Sequence, residues 1–139
     1  MKSATNRLLD AIGYPERVRD GVAAFTLQVD GGEIDALEAN GALRLVCRLT
    51  DEPERLPALA EYAAGRLLRE DAALAFGSPG DRAQDCAFLW QEVSAAADAH
   101  DLRRFFESFC DSCDWWRARL QESVGAEAEP ALHEMRILP

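Results

Sequence analysis

Apolar residues recur every three or four positions in some stretches of the chain and every second position in others, and each change of period marks an element. Leu8, Leu9 and Ile12 form one short stripe behind the capping candidates Ser3 and Thr5, and Gly13 with Pro15 ends it, which predicts a first helix. From Val22 the period falls to two. Phe25, Leu27 and Val29 point one way and Ala24, Thr26 and Gln28 the other, up to a tight turn at Asp30-Gly31-Gly32. A second strand returns over residues 33–38. After Asn40-Gly41, Leu43, Leu45, Cys47 and Leu49 alternate with Arg44, Val46 and Arg48, the clearest strand pattern in the chain.

Residues 54–70 are rich in alanine, leucine and arginine, with Pro57 tolerated in a first turn, and predict a middle helix. Two more strands are expected at 73–77 and 86–93, then a long helix over about 101–122 that stops before Gly125. The expected fold is therefore α+β, with an antiparallel five-stranded sheet and three helices in the order α-β-β-β-α-β-β-α. The domain is expected to span residues 1–125, followed by a flexible acidic tail at 126–139.

Two elements carry more apolar surface than one sheet covers. On the middle helix Leu56, Ala60, Ala63 and Leu67 share a stripe, while Tyr62 and Leu68 lie on opposite flanks. On the fifth strand Phe88 and Trp90 line one face and Ala87 and Leu89 the other. Either the helix sinks into its own core or it is sandwiched in an isologous homodimer, with Leu59, Tyr62, Ala63, Leu67 and Leu68 at the interface.

Composition narrows the function classes. The chain has 139 residues, enough for one well-filled core, and a formal net charge of −10, a field that repels phosphate backbones and anionic lipid. Neither nucleic acid nor membrane is an expected partner. No apolar run is long enough to span a bilayer, and Asp10 interrupts any signal-like stretch at the start, so a cytoplasmic location with reduced thiols is expected.

The conspicuous chemical motif is F-C-D-S-C-D-W-W at 109–116, whose C-x-x-C pair raises redox and zinc readings. Leu102, Phe105, Phe106, Phe109, Cys113, Trp116 and Leu120 recur at helical spacing, which puts Cys113 in the centre of a core stripe and Cys110 at its edge. Thiols three apart in mid-helix have Cβ atoms roughly 5–6 Å apart, beyond the roughly 3.5–4.5 Å of a relaxed disulfide. Asp111 and Asp114 disfavour a thiolate, and Cys47, Cys86, His100 and His133 lack finger-like spacing, so the pair reads as structural and no metal or other cofactor is expected. No residues stand out as catalytic. Trp115, off the stripe, is either a half-buried ring or an anchor for a partner.

The order of elements, with Leu8-Leu9-Asp10-Ala11-Ile12-Gly13, Leu27-Gln28-Val29-Asp30-Gly31, and Phe105-Phe106-Glu107-Ser108-Phe109 followed by Trp116-Arg117 and Leu120, resembles the class I type III secretion chaperones, the Tir-chaperone (CesT) family, over roughly residues 6–120. The resemblance implies a non-enzymatic virulence-associated homodimer. It would bind the N-terminal segment of a secreted effector, keep it secretion-competent and deliver it to the secretion apparatus and its ATPase. Leu8, Leu9, Ile12, Phe25, Leu27 and Val29 are the effector-binding candidates that it implies. The C-x-x-C pair and the tail depart from the pattern. A non-catalytic adaptor of similar α+β build and a small thiol enzyme stand as the alternatives.

Overall fold

The computed structural model describes residues 2–55, 57, 61, 71–77 and 86–128. Helix α1 (Ala4–Ile12) begins where the Ser3 hydroxyl accepts the Asn6 amide, and it ends at Gly13, whose φ of 73° is the left-handed cap that glycine adopts without strain. Strands β1 (Ala24–Val29), β2 (Gly32–Ala39) and β3 (Ala42–Thr50) form an antiparallel meander, followed by a 3-10 turn at Pro53–Arg55. Asn40 and Gly41, with φ of 54° and 75°, make the β2–β3 turn in the conformation that an Asn-Gly pair favours between right-twisted strands. Strands β4 (Ala73–Gly77) and β5 (Cys86–Ser94) complete the five-stranded antiparallel sheet, in the order β1-β2-β3-β5-β4. Helix α2 (Ala99–Ala128) follows.

The helices cover one face of the sheet. Strand residues Leu27, Ile34, Ala36, Leu43, Leu45, Cys47, Ala87 and Leu89 turn inward to meet Leu8 and Leu9 of α1 and Leu102, Phe109, Cys113, Trp116 and Leu120 of α2. The stripe read along the last helix is thus its buried face. Polar contacts fix α1 in place: the Glu38 carboxylate on β2 accepts the Thr5 amide at 3.1 Å, a favourable charge at a helix N-terminus. Arg7 donates to the carbonyls of Ala95 and Ala97 in the β5–α2 connection. On the opposite face, Thr26 donates to Asp35 at 2.7 Å, Gln28 to Glu33 at 3.1 Å, and Arg44 to Glu92 at 2.8 Å while stacking 4.6 Å from the Trp90 ring.

Two expectations change. The last helix does not stop before Gly125 but runs on to Ala128, because a lone glycine costs a helix only about 1 kcal/mol and its alanine and glutamate neighbours favour the helix. Two α-helices rather than three are described; the expected middle helix lies largely outside the described residues, of which Pro57 and Glu61 are helical. The candidate interface residues Leu59, Tyr62, Ala63, Leu67 and Leu68 lie outside them too. No helix among the described residues is long and apolar enough to cross a membrane.

Candidate functional site

Strand β1 is an edge strand, and the register fixes which of its backbone groups face outward. The Glu38 amide donates to the Ala23 carbonyl at 2.8 Å, so the odd-numbered residues of this strand bond to β2. The N–H and C=O groups of Ala24, Thr26 and Gln28 therefore point away from the sheet. One outward donor is used: the Gln28 amide donates to the Tyr14 hydroxyl at 3.0 Å. The Tyr14 ring meets Phe25 edge-on, with centroids 6.1 Å apart. Toward the start of the strand, the outward groups of Thr26 and Ala24 form an open template about two residue pairs long.

Tyr14 is held there by the segment that follows α1. The Asn6 side chain grips the backbone of Val18 from both sides, donating to its carbonyl at 2.9 Å and accepting its amide at 2.8 Å. Lys2 and Arg17 both pair with Asp10, and the Lys2 hydrogen bond, ahead of the Arg17 charge, holds that carboxyl below the usual carboxylate range. The chain between α1 and β1 is thereby strapped back along the helix.

The six effector-binding candidates separate into two groups. Leu8, Leu9 and Leu27 are 0% exposed and join α1 to the sheet, so a partner does not reach them in this conformation. Ile12, Phe25 and Val29 are half-buried, pack on the margin of the core and keep accessible surface beside the edge of β1. Tyr14 belongs to this margin and was absent from the sequence candidates, because no apolar period includes it. Its position between a helix-ending glycine and Pro15 gave the only hint. On the outer face an open groove of about 570 Å³, lined by Ala23, Leu37, Ala39, Ala42 and Arg44 among others, adjoins the start of the strand.

Cys113 is buried and shares the core between helix and sheet with Cys47 of β3, while Cys110 is half-buried, its thiol pushed up to about 12 by burial and then by Asp114 and Asp111. Among the described residues, no group of three or more His, Cys, Asp or Glu side chains is placed to hold a metal ion. Trp115 is half-buried, edge-on to Trp116 at 5.2 Å and 4.9 Å from the Arg119 guanidinium, so it is a packed ring rather than a free-standing anchor.

No family model and no curated protein sequence matches the chain. Solved structures do match it. A chain of the HopA1–SchA chaperone–effector complex is similar over 83% of this chain and 91% of its own length, with 15% identity and a TM-score of 0.59. A chain of the ExsC–ExsE complex is similar over 84% and 90%, with 17% identity and a TM-score of 0.61. YbjN from E. coli, a candidate transcription regulator, is similar over 87% and 89%, with 14% identity and a TM-score of 0.58. At such identities the likeness is one of fold, a fold that this chain shares with chains of the HopA1–SchA and ExsC–ExsE complexes and with YbjN.

Proposed function

We propose that this protein is a cytoplasmic, non-enzymatic chaperone that binds the N-terminal segment of a type III secreted effector, keeps it soluble and extended, and hands it to the secretion apparatus. The observation that carries the reading is the edge of β1. Among the described residues, the outward backbone donors and acceptors of Ala24 and Thr26 have no partner, and they lie next to half-buried Ile12, Phe25 and Val29, in a fold shared with chains of the HopA1–SchA chaperone–effector complex and of the ExsC–ExsE complex.

An extended segment adds to such an edge as a sixth strand. Its backbone takes the free groups of Thr26, and its alternate side chains reach the apolar margin on one face and the open groove on the other. Four residues of added strand span about 13 Å, which matches the exposed stretch before Tyr14 closes it. The net charge of −10 favours a segment that is neutral or basic and opposes nucleic acid and anionic lipid. The active form is proposed to be a homodimer through Leu59, Tyr62, Ala63, Leu67 and Leu68, doubling the binding edges, with the secretion ATPase as the downstream acceptor.

The test is co-purification from the native host, with the captured protein identified by mass spectrometry and its N-terminal fragments rebound to pure protein. Thr26→Pro removes an outward N–H that the sheet does not use and blocks an incoming strand, so it is expected to abolish binding while the fold persists. Thr26→Val is expected to bind as the wild type. Binding unaffected by Thr26→Pro, or a captured partner that binds only as an intact folded domain, turns the reading to an adaptor.

A further inference from the structure

Tyr14 stands at the end of the open edge of β1, and its backbone is fixed before its side chain is placed. Pro15 disfavours helical backbone at the residue before it, so α1 closes at Gly13 and Tyr14 lies beyond it. The Tyr14 amide donates to the Leu9 carbonyl at 2.9 Å, and its carbonyl accepts from the Arg17 guanidinium, which also pairs with Asp10. Further along, Asn6 grips Val18 through both of its backbone groups. With the backbone held in this way, the ring meets Phe25 edge-on at 6.1 Å and the hydroxyl accepts the Gln28 amide at 3.0 Å.

The hydroxyl oxygen occupies the place that a neighbouring strand's carbonyl would take. The Gln28 amide points away from β2, as those of Ala24 and Thr26 do, and it is the next group along the edge that an added strand would use. We propose that Tyr14 is a specificity-determining stop, which ends the added strand at Thr26 and restricts the partner to a short extended segment that then turns off the sheet. The inference rests on the strand addition proposed above and adds to it the length of the segment and the point where it leaves.

Successive outward groups on a strand are about 7 Å apart, so a strand that also used Gln28 would be about two residues longer and gain one more pairing site. The Tyr14 hydroxyl takes that donor and its ring fills the space beside it. A segment reaching this point has to leave the plane of the sheet, which glycine, proline, asparagine and aspartate do most readily. The same stop discriminates between partners. A complete strand such as β1 of a second copy, 6 residues long, would run into the ring, whereas a short segment fits the stretch left open. The bonds from Leu9, Arg17 and Asn6 hold the residue in place, so it acts as a fixed end rather than a lid.

The test is residue-resolved amide exchange on the full chain, free and bound to the captured protein's N-terminal fragment, which is kept several residues longer than its protected stretch at either end. In the free wild type the Gln28 amide should be protected while Thr26 exchanges fast. Tyr14→Phe keeps the ring but removes the acceptor, so Gln28 should exchange at least about fivefold faster, with Leu45 and Cys47 in the central strand unchanged. The bound fragment should keep its short protected stretch in this variant, because the ring still closes the edge. Tyr14→Ala opens the edge, so the fragment should gain one further alternate protected amide and Gln28 should become protected on binding. A merely structural role would weaken binding without lengthening that stretch. Ala24 and Thr26 protected on binding in every variant, with no lengthening in Tyr14→Ala, overturns the stop and leaves strand addition standing. Ala24 and Thr26 unprotected throughout overturns both. If Tyr14→Ala fails to fold, Gln28 exchange in the free wild type and Tyr14→Phe decides, together with the wild-type fragment, whose protection over about six residues or more would overturn the stop.

Discussion

Asn6→Ala removes the clamp that positions the margin of the binding edge, and its effect can be worked from two distances. The Asn6 amide makes hydrogen bonds of 2.9 and 2.8 Å with the Val18 carbonyl and amide, and Val18 is buried. Each bond contributes a net ~1 kcal/mol, and backbone groups stranded without partners add a desolvation penalty of about 1–3 kcal/mol apiece when water cannot reach them. Because both bonds are only part-buried, water replaces some of the loss, and the sum is about 2 kcal/mol. With an m-value of about 2 kcal/mol/M in urea, the midpoint falls by about 1 M. Asn6→Asp keeps the acceptor for the Val18 amide but turns a charged oxygen on the Val18 carbonyl, so it should lose at least about half as much. Amide exchange should accelerate at Val18 and Gln28 while Leu45 and Cys47 in the central strand stay protected. A midpoint shift below about 0.3 M for Asn6→Ala, or unchanged exchange at Val18, would refute the clamp and with it the placement of Tyr14.

Cys110, although the most accessible of Cys47, Cys110 and Cys113, should alkylate slowly at pH 8, because its thiol is pushed up to about 12 and the reactive thiolate gains only as pH rises toward that value. Labelling by iodoacetamide at the rate of a free cysteine, read by peptide mass mapping, contradicts this. Leu68→Glu should convert the proposed homodimer to monomer or aggregate by light scattering, and a wild type that is monomeric at micromolar concentration removes the dimer from the account.

Much of the fold was legible because its signals are local. Asn40-Gly41 names its own turn, the alternation from Leu43 to Leu49 fixes which face is buried, and the stripe from Leu102 to Leu120 is the core face of α2. The site was less legible, since apolar period marks a residue as inward but not how deep it lies. Leu8, Leu9 and Leu27 share the pattern of Ile12, Phe25 and Val29, yet only the second set lies on the margin, because β1 is the edge strand and Ile12 is the last residue of α1. Tyr14 was invisible for the opposite reason: its role depends on a hydroxyl reaching a strand fourteen residues on. Cys47 and Cys113 are 66 positions apart, and only the packing of α2 on the sheet puts both in one core.

The central claim is that a partner segment joins the sheet at β1, and the direct measurement is residue-resolved amide exchange on the complex with the captured protein's N-terminal segment. The amides of Thr26 and Ala24, which face outward and have no partner within the sheet, should exchange fast in the free protein and become protected on binding. Alternate amides along a short stretch of the segment should be protected with them, while the rest of the segment stays open. A tightly bound segment that leaves Thr26 and Ala24 exchanging as fast as before would contradict the account.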